Sequence, residues 1–169
     1  EEQFKILTEA GRQDLSTQTY TYDATLDTFD VLEAKICTNG IETIVPKEKM
    51  EDKPLASDPI GLRQNHQILI PFERVTVGSI IQLKTKRCHF KPQYENYFAG
   101  SQTFNNGNLW TNTRLTIDSE LPLFLKINDP RKILDVKCSE EGSNHRLEVN
   151  LKEKVCENLV HEPSNSYQP

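Results

Sequence analysis

Histidine and cysteine are the side chains most able to do chemistry here, and their spacing argues against a catalytic or metal site. The four histidines are far apart along the sequence: His66, His89, His145 and His161. No two of them stand at the i, i+2 or i, i+4 spacing of residues that share a metal ion. Cys88 is next to His89, but neighbouring strand residues point to opposite faces and do not readily share a hydrogen bond. We therefore expect no catalytic residues and no metal ligands in this chain.

Motifs that bind phosphate, calcium or zinc, or that carry a nucleophilic serine, are also missing. The sequence has no Gly-rich phosphate loop, no Walker motif, no Gly-x-Ser-x-Gly elbow and no His-Glu-x-x-His pair. A calcium loop needs a dense run of oxygen ligands such as Asp-x-Asp-x-Asp-Gly, and none occurs. The sequence therefore predicts no cofactor.

Aromatic residues are densest between His89 and Trp110, directly after the basic cluster Lys84–Arg87. Basic and aromatic side chains together are typical of single-strand nucleic-acid platforms. The net charge of −5 opposes capture of a phosphate backbone, so we expect no nucleic-acid partner. The same pattern would also arise from lysines on the outer face of a strand, followed by aromatic residues that belong to the core. If the domain binds a peptide or glycan, we expect the ligand to contact these residues of the aromatic segment: Tyr94, Tyr97, Phe98 and Trp110.

The four cysteines are Cys37, Cys88, Cys138 and Cys156. They form no Cys-x-x-Cys pair, which excludes the spacing of zinc ribbons and thioredoxins. Three disulfide pairings are formally open, and free thiols are the simpler expectation. In a continuous hairpin around Gly142, Cys138 would face roughly His145. Cys156 would then lie about ten residues, or ~33 Å, further along. That separation excludes a disulfide between Cys138 and Cys156 unless the chain turns back after Leu151.

Apolar and polar residues alternate with a period of two along much of the chain, and helical periodicity is almost absent. Side chains of a strand alternate between its faces, so each alternating segment is predicted to be a half-buried strand. The predicted strands are 4–8, 32–36, 81–86, 114–118, 123–128 and 147–152. Residues 151–159 also fit a helical stripe, which leaves strand and helix open for 152–160.

Turn signals separate these segments at short intervals. Asn39-Gly40 predicts a type I′ hairpin turn, and Glu141–Asn144 and Asn105–Gly107 predict further hairpin loops. Pro71 and Pro122 are expected at the ends or edges of strands. We therefore predict an all-β fold: an antiparallel β-sandwich of about ten short strands with one long irregular loop at about residues 46–65.

Chain length and the polar carboxyl-terminal residues predict the domain organisation. The 169 residues suit one domain, which we place at residues 1–160. Residues 161–169 are polar and proline-ended, so we predict a linker towards a further domain. No apolar run approaches the roughly 18–20 residues of a membrane span, so we expect no transmembrane segment.

Several of these segments, taken in order, resemble a known bacterial family. Phe29–Lys35 with its Asn39-Gly40 turn is similar to a strand and hairpin of that family, and Gln67–Leu83 is the best-matching segment. Within it, Ile70-Pro71 and Gly78–Ile81 look like the family's apolar-Pro and Gly-Ser-Ile-Ile elements. The family is the bacterial domain of unknown function that commonly precedes a transglutaminase-like, papain-type cysteine hydrolase domain in exported proteins. The likeness covers about residues 4–155 and departs from the family pattern at Arg63–Asn65.

The resemblance implies a non-catalytic accessory domain of a secreted protein. Its partner would be a transglutaminase-like domain downstream in the same chain, and its location the periplasm or the cell surface. Such a domain would pack against the catalytic domain or restrict substrate access, and one of its surfaces should then be unusually apolar. The alternative is a stand-alone peptide- or glycan-binding sandwich that uses the aromatic-rich segment. An independent enzyme is a third hypothesis, which the missing nucleophile and base disfavour.

Overall fold

A computed structural model describes residues 1–55, 64–91, 97–104 and 111–152 of the chain. Its contacts divide the chain into two compact units, Glu1–Phe98 and Ala99–Pro169. The strands are antiparallel throughout and form three sheets, which confirms the prediction of an all-β sandwich. The predicted domain over 1–160 and linker over 161–169 stay a prediction, because residues 153–169 lie outside the described residues.

The first unit contains two sheets. The first sheet has the order β1-β7-β3-β4, formed by Glu2–Lys5, Ile80–His89, Asp27–Thr38 and Ile41–Ile44. The second sheet has the order β2-β6-β5, formed by Thr17–Asp23, Asn65–Pro71 and Glu51–Pro54. A short helix, α1 (Glu9–Leu15), and a 3-10 turn, Lys47–Lys49, connect strands of this unit.

The apolar core of the first unit draws on both sheets. Alternate residues of β3 and β7, such as Ile36 and Ile81, pack in one cluster with Ile68 and Ile70 of β6. Ile70 and Ile81 are fully buried. Burial of one face of each strand is what the period of two in the sequence predicts. The sandwich forms because each sheet can cover the apolar face of the other.

The second unit contains the third sheet, with the order β8-β10-β9. Its strands are Arg114–Ser119, Asn144–Leu151 and Leu134–Glu141. The central strand β10 contributes the buried residues Leu147 and Val149. Their neighbours on β10, such as Glu148, are charged or polar, so the alternation of the sequence again marks the buried face.

Two predicted hairpins are confirmed. Asn39 and Gly40 have φ angles of 52° and 79°, and this pair of positive values defines the type I′ turn between β3 and β4. Gly142, with φ of 63°, opens the loop between β9 and β10. The loop consists of Gly142 and Ser143, and the register of this hairpin pairs Cys138 with Leu147, so the predicted pairing of Cys138 with His145 is wrong by two residues. The predicted loop at 105–107 lies outside the described residues.

Three segments differ from the prediction. Residues 123–128 form no strand although they alternate, because alternation does not supply a neighbour for the backbone hydrogen bonds. The segment 46–65, predicted to be irregular, contains β5, whose exposed edge position requires no apolar side chain. Strand β1 ends at Lys5 rather than Thr8, because the Thr8 hydroxyl accepts from the Gly11 N–H and caps α1.

Candidate functional site

The apolar inner face of the first sheet becomes polar at one end of the sandwich. Strand β7 places Ile81, Leu83, Arg87 and His89 on one face, because successive strand residues alternate. Antiparallel pairing sets Asp27, the first residue of β3, directly opposite His89. At this end of the sheet, the ionisable side chains of Asp27, Arg87 and His89 therefore take the positions that apolar side chains occupy further along the same face.

The Asp27 carboxylate is hydrogen-bonded to two side chains, those of Arg87 and His89. Its Oδ2 accepts from Nε and Nη2 of Arg87 at 2.8 and 2.5 Å, and its Oδ1 is hydrogen-bonded to Nδ1 of His89. The Asp27 side chain is 6% exposed, whereas those of Arg87 and His89 are 52% and 42% exposed. Burial alone would raise the pKa of Asp27, but the hydrogen bonds from His89 and Arg87 hold it below its usual value. Asp27 is therefore a buried anion that orients two half-exposed side chains.

A second carboxylate, Asp52 on the second sheet, also has two side-chain partners, but it is exposed. It accepts from the Tyr22 hydroxyl at 2.8 Å and is 2.9 Å from Nδ1 of His66. The Tyr22 ring packs against Phe29 and His66, with centroids 6.2 and 5.5 Å apart. Burial of the phenol, reinforced by its hydrogen bond to Asp52, raises the pKa of Tyr22 to about 12. The phenol is therefore neutral and a hydrogen-bond donor at physiological pH.

A shallow cleft of about 410 Å³ opens beside Asp27 and Arg87. The described residues that line it combine charge with apolar surface: Thr21, Tyr22, Asp23, Leu26, Asp27, Leu55, Asn65 and Arg87. Within the described ranges, no group of three or more His, Cys, Asp or Glu side chains is placed to hold a metal ion. The cleft can offer hydrogen bonds and charge to a small polar ligand.

The second unit exposes an apolar segment in the connection between β8 and β9. We call residues Leu121–Ile127 the apolar segment. Phe124 is 95% exposed, and Leu121, Leu125 and Ile127 are about half exposed. Single exposed apolar side chains are common, but several within one short segment are typical of a surface that contacts another molecule.

The chain was compared with known protein families. The sequence matches the profile of a domain of unknown function, DUF3857, over residues 1–152. The chain belongs to the DUF3857 family. No curated protein matches the chain.

A solved structure shares the fold of this DUF3857 chain. It is that of a candidate protease from Parabacteroides distasonis ATCC 8503, with a TM-score of 0.73 and 10% sequence identity. The match covers 96% of this chain and 33% of the other, so the chain spans about a third of that protein's length. At this identity the comparison shows a common fold.

The structure describes two of the four predicted ligand-binding residues of the DUF3857 chain. Tyr97 and Phe98 are 62% and 81% exposed, while Tyr94 and Trp110 lie outside the described residues. The binding role of the four therefore stays a prediction.

Cys88 and His89 point in different directions, as the strand alternation predicts. Cys88 is exposed, whereas His89 is bonded to Asp27. Cys37, Cys88 and Cys138 are free thiols, and Cys156 lies outside the described residues. No helix in the part of the chain that the structure describes is long and apolar enough to cross a membrane.

Sequence reasoning missed the cluster around Asp27. One signal was available: the alternation of residues 81–86, continued by two steps, assigns Arg87 and His89 to the inner face. A charged residue at a core position marks either a pairing partner or a site. The partner Asp27 could not be found from the sequence, since it is some 60 residues away and its register depends on the fold.

Proposed function

We propose that this chain is a non-catalytic accessory domain that packs against a catalytic domain downstream in the same polypeptide. The resemblance of the sequence implies that the catalytic domain is transglutaminase-like, a papain-type cysteine hydrolase, and that the protein is exported to the periplasm or cell surface. The accessory domain would position that domain or restrict access to it. DUF3857 membership and the fold shared with a much longer candidate protease support this proposal.

The apolar segment is the observation that carries the proposal. Phe124 is almost fully exposed and lies within a few residues of three half-exposed aliphatic side chains. Covering apolar surface is worth about 25 cal/mol per Å². A domain that remained free in solution would gain nothing from this exposure, whereas a domain packed against a neighbour would bury it.

Hydrogen exchange tests the docking. The 169-residue chain and the protein made from the longer reading frame are compared by mass spectrometry for deuterium uptake at residues 121–127. We expect slower uptake in the longer protein and rapid uptake in the chain alone. A reading frame that stops soon after Pro169, or equal uptake in both proteins, would contradict the proposal.

A matched pair of substitutions sharpens this test. Phe124→Asp places a charge in the apolar segment, whereas Ile41→Asp does the same at a residue of β4 that is 70% exposed. In the longer protein we expect Phe124→Asp to restore rapid uptake at 121–127 and Ile41→Asp to leave it unchanged. Equal effects of the two variants would show that charge alone, rather than docking, changes the exchange.

Exposure of Tyr97 and Phe98 favours a second candidate function, binding of a peptide or glycan at the aromatic segment. The chain has one tryptophan, Trp110, so its fluorescence reports directly on this segment. We expect a saturable change on addition of a bound glycan or peptide and its loss in Tyr97→Ala/Phe98→Ala. A Trp110 signal that stays constant across such ligands would remove this candidate.

A further inference from the structure

The backbone of the apolar segment is as open to a partner as its side chains. Leu121 is engaged, because its N–H donates to the Ser119 hydroxyl and its carbonyl accepts from the same hydroxyl. Beyond it, Pro122 has no N–H, and no backbone group of residues 122–127 is hydrogen-bonded to a described residue. The apolar segment therefore presents free N–H groups and carbonyls together with apolar side chains.

Exposure alternates along the apolar segment as it does on a strand. Phe124 is almost fully exposed, and Lys126 is exposed as well. The residues that alternate with them are partly covered: Leu123, Leu125 and Ile127. None of these residues has a positive φ angle or belongs to a helical turn. An extended peptide with two rows of side chains is the form that adds to the edge of a sheet.

The polypeptide that leaves the second unit starts beside the end of the apolar segment. Asp129, two residues after the segment, accepts from the N–H of Ile133 at 3.1 Å. The Ile133 carbonyl in turn accepts from the N–H of Lys152 at 2.8 Å, and the chain continues from there. A domain joined through this continuation is held close to the apolar segment, which raises its effective concentration at that surface.

Lys126 sets a condition on the partner. It is the one charged residue of the apolar segment, and it forms no ion pair with a described residue. A lysine on an unpaired strand opposes pairing with an arbitrary second strand, because its charge must stay in water or be matched. A strand that places a carboxylate opposite Lys126 meets this condition.

We propose that the apolar segment binds as an added strand to an exposed strand edge of the downstream domain. The N–H groups and carbonyls on one side of the segment pair with that edge, Phe124 contacts an apolar residue of the same sheet, and Lys126 faces a carboxylate. This inference rests on the proposed accessory function, and it names the kind of surface on which the domain docks.

Hydrogen exchange of single amides tests strand addition. Successive N–H groups of a strand point to opposite sides, so an added strand donates only every second one to its partner. Mass spectrometry with electron-transfer fragmentation resolves the amides of residues 123–127 in the longer protein. We expect one alternate set, 123, 125 and 127 or 124 and 126, to exchange at least about ten-fold slower than the other.

The exchange pattern separates this inference from the proposed function. Equal protection of all the amides of residues 123–127 in the longer protein would overturn strand addition and leave the docking intact. Rapid exchange of all of them would overturn both. Alternating protection in the 169-residue chain alone would overturn the downstream partner, and its growth with protein concentration would identify a second copy as the partner instead.

Proline variants test the backbone directly. Leu125→Pro and Lys126→Pro remove neighbouring N–H groups that point to opposite sides. In the longer protein, we expect one variant to abolish protection at the remaining amides and the other to keep it, because proline is tolerated where the N–H faces away from the paired edge. Leu125→Ala and Lys126→Ala control for the lost side chains and should keep the alternation. Equal effects of the two proline variants would overturn strand addition.

Charge reversal tests the carboxylate opposite Lys126. In the longer protein, Lys126→Glu should speed exchange of the protected amides about two- to five-fold. Lys137→Glu makes the same change at an exposed residue of β9 and should leave their exchange unchanged. Equal effects of the two variants, or no effect of Lys126→Glu, would overturn the charge match between the apolar segment and its partner strand.

Discussion

At the scale of single residues, Asp27 is the least expected feature of this domain. Buried ion pairs rarely stabilise a fold more than apolar residues of the same shape, because both charges lose their hydration. Here the carboxylate is buried while its two partners remain about half exposed. The desolvation cost therefore falls mainly on Asp27. This asymmetry predicts how the fold responds when either partner is removed.

Loss of Arg87 should cost more stability than loss of the charge on Asp27. Arg87→Ala leaves a buried carboxylate with His89 as its remaining partner, and we expect a loss of about 2 kcal/mol. Asp27→Asn leaves two side chains that water can solvate, so about 1 kcal/mol is expected. Urea unfolding measures both. Arg12→Ala, at an exposed helix ion pair, serves as the control and should change little.

The double variant shows whether the two residues act together. Once residue 27 is neutral, removal of Arg87 leaves no buried charge without a partner. The loss of unfolding free energy in the double variant should therefore be smaller than the sum of the two single losses by at least about 0.5 kcal/mol. Strict additivity, or a larger loss for Asp27→Asn than for Arg87→Ala, would contradict this account of the pair.

Tyr22 predicts a change of stability in alkaline solution. Its pKa is raised from 10.0 to about 12, so the folded state favours the neutral phenol. The corresponding stabilisation is complete below pH 10 and is lost as the pH rises from 10 to about 12. We expect the difference in unfolding free energy between the wild type and Tyr22→Phe to shift by about 1 kcal/mol across that interval, since solvent screens part of the interaction of this phenol. A constant difference would show that Tyr22 titrates normally.

At the scale of elements, backbone pairing decides which alternating segments become strands. Residues 123–128 alternate well but pair with no strand among the described residues, whereas β5 has no apolar alternation and still pairs with β6. The side-chain pattern indicates which residues are buried, whereas the backbone hydrogen bonds determine which segments belong to a sheet. The two signals coincide in β3, β7 and β10, where prediction from the sequence succeeded.

The β3–β4 hairpin depends on the backbone freedom of one glycine. Gly40 has a φ of 79°, a left-handed conformation that an L-residue adopts at a cost of about 1 kcal/mol. Gly40→Ala should therefore lower the unfolding free energy by about that amount, as measured by urea unfolding. Gly11→Ala is the matched control, because α1 prefers alanine and its Cβ would lie 3.4 Å from Thr8 Oγ1. A Gly11→Ala variant less stable than Gly40→Ala would contradict the turn assignment.

At the scale of the whole molecule, the core is divided unevenly between the two units. Eleven buried residues form one cluster in the first unit, and two buried apolar residues, Leu147 and Val149, occur in the described part of the second. A larger apolar core supports independent folding. The DUF3857 match extends over both units, to residue 152.

We therefore expect residues 1–98 to fold alone and residues 99–169 to be marginally stable. The first fragment should give dispersed NMR spectra and one cooperative urea transition, and the second a shallow transition at low urea. The intact 169-residue chain is the control for both fragments. A cooperative, stable 99–169 fragment beside an unfolded 1–98 fragment would contradict this ranking.

The class of the fold can be predicted from short stretches of the chain, because the period of two, the Asn39-Gly40 turn and Pro71 at the end of β6 each act over a few residues. The sequence also separated Cys88 from His89, which local strand geometry settles. Three features depend on the tertiary structure. They are the cluster of Asp27, Arg87 and His89, the pairing of Asp52 with Tyr22 and His66, and the exposure of Phe124. Each depends on the register between distant strands or on which surfaces find a neighbour, and no local pattern of residues encodes that information.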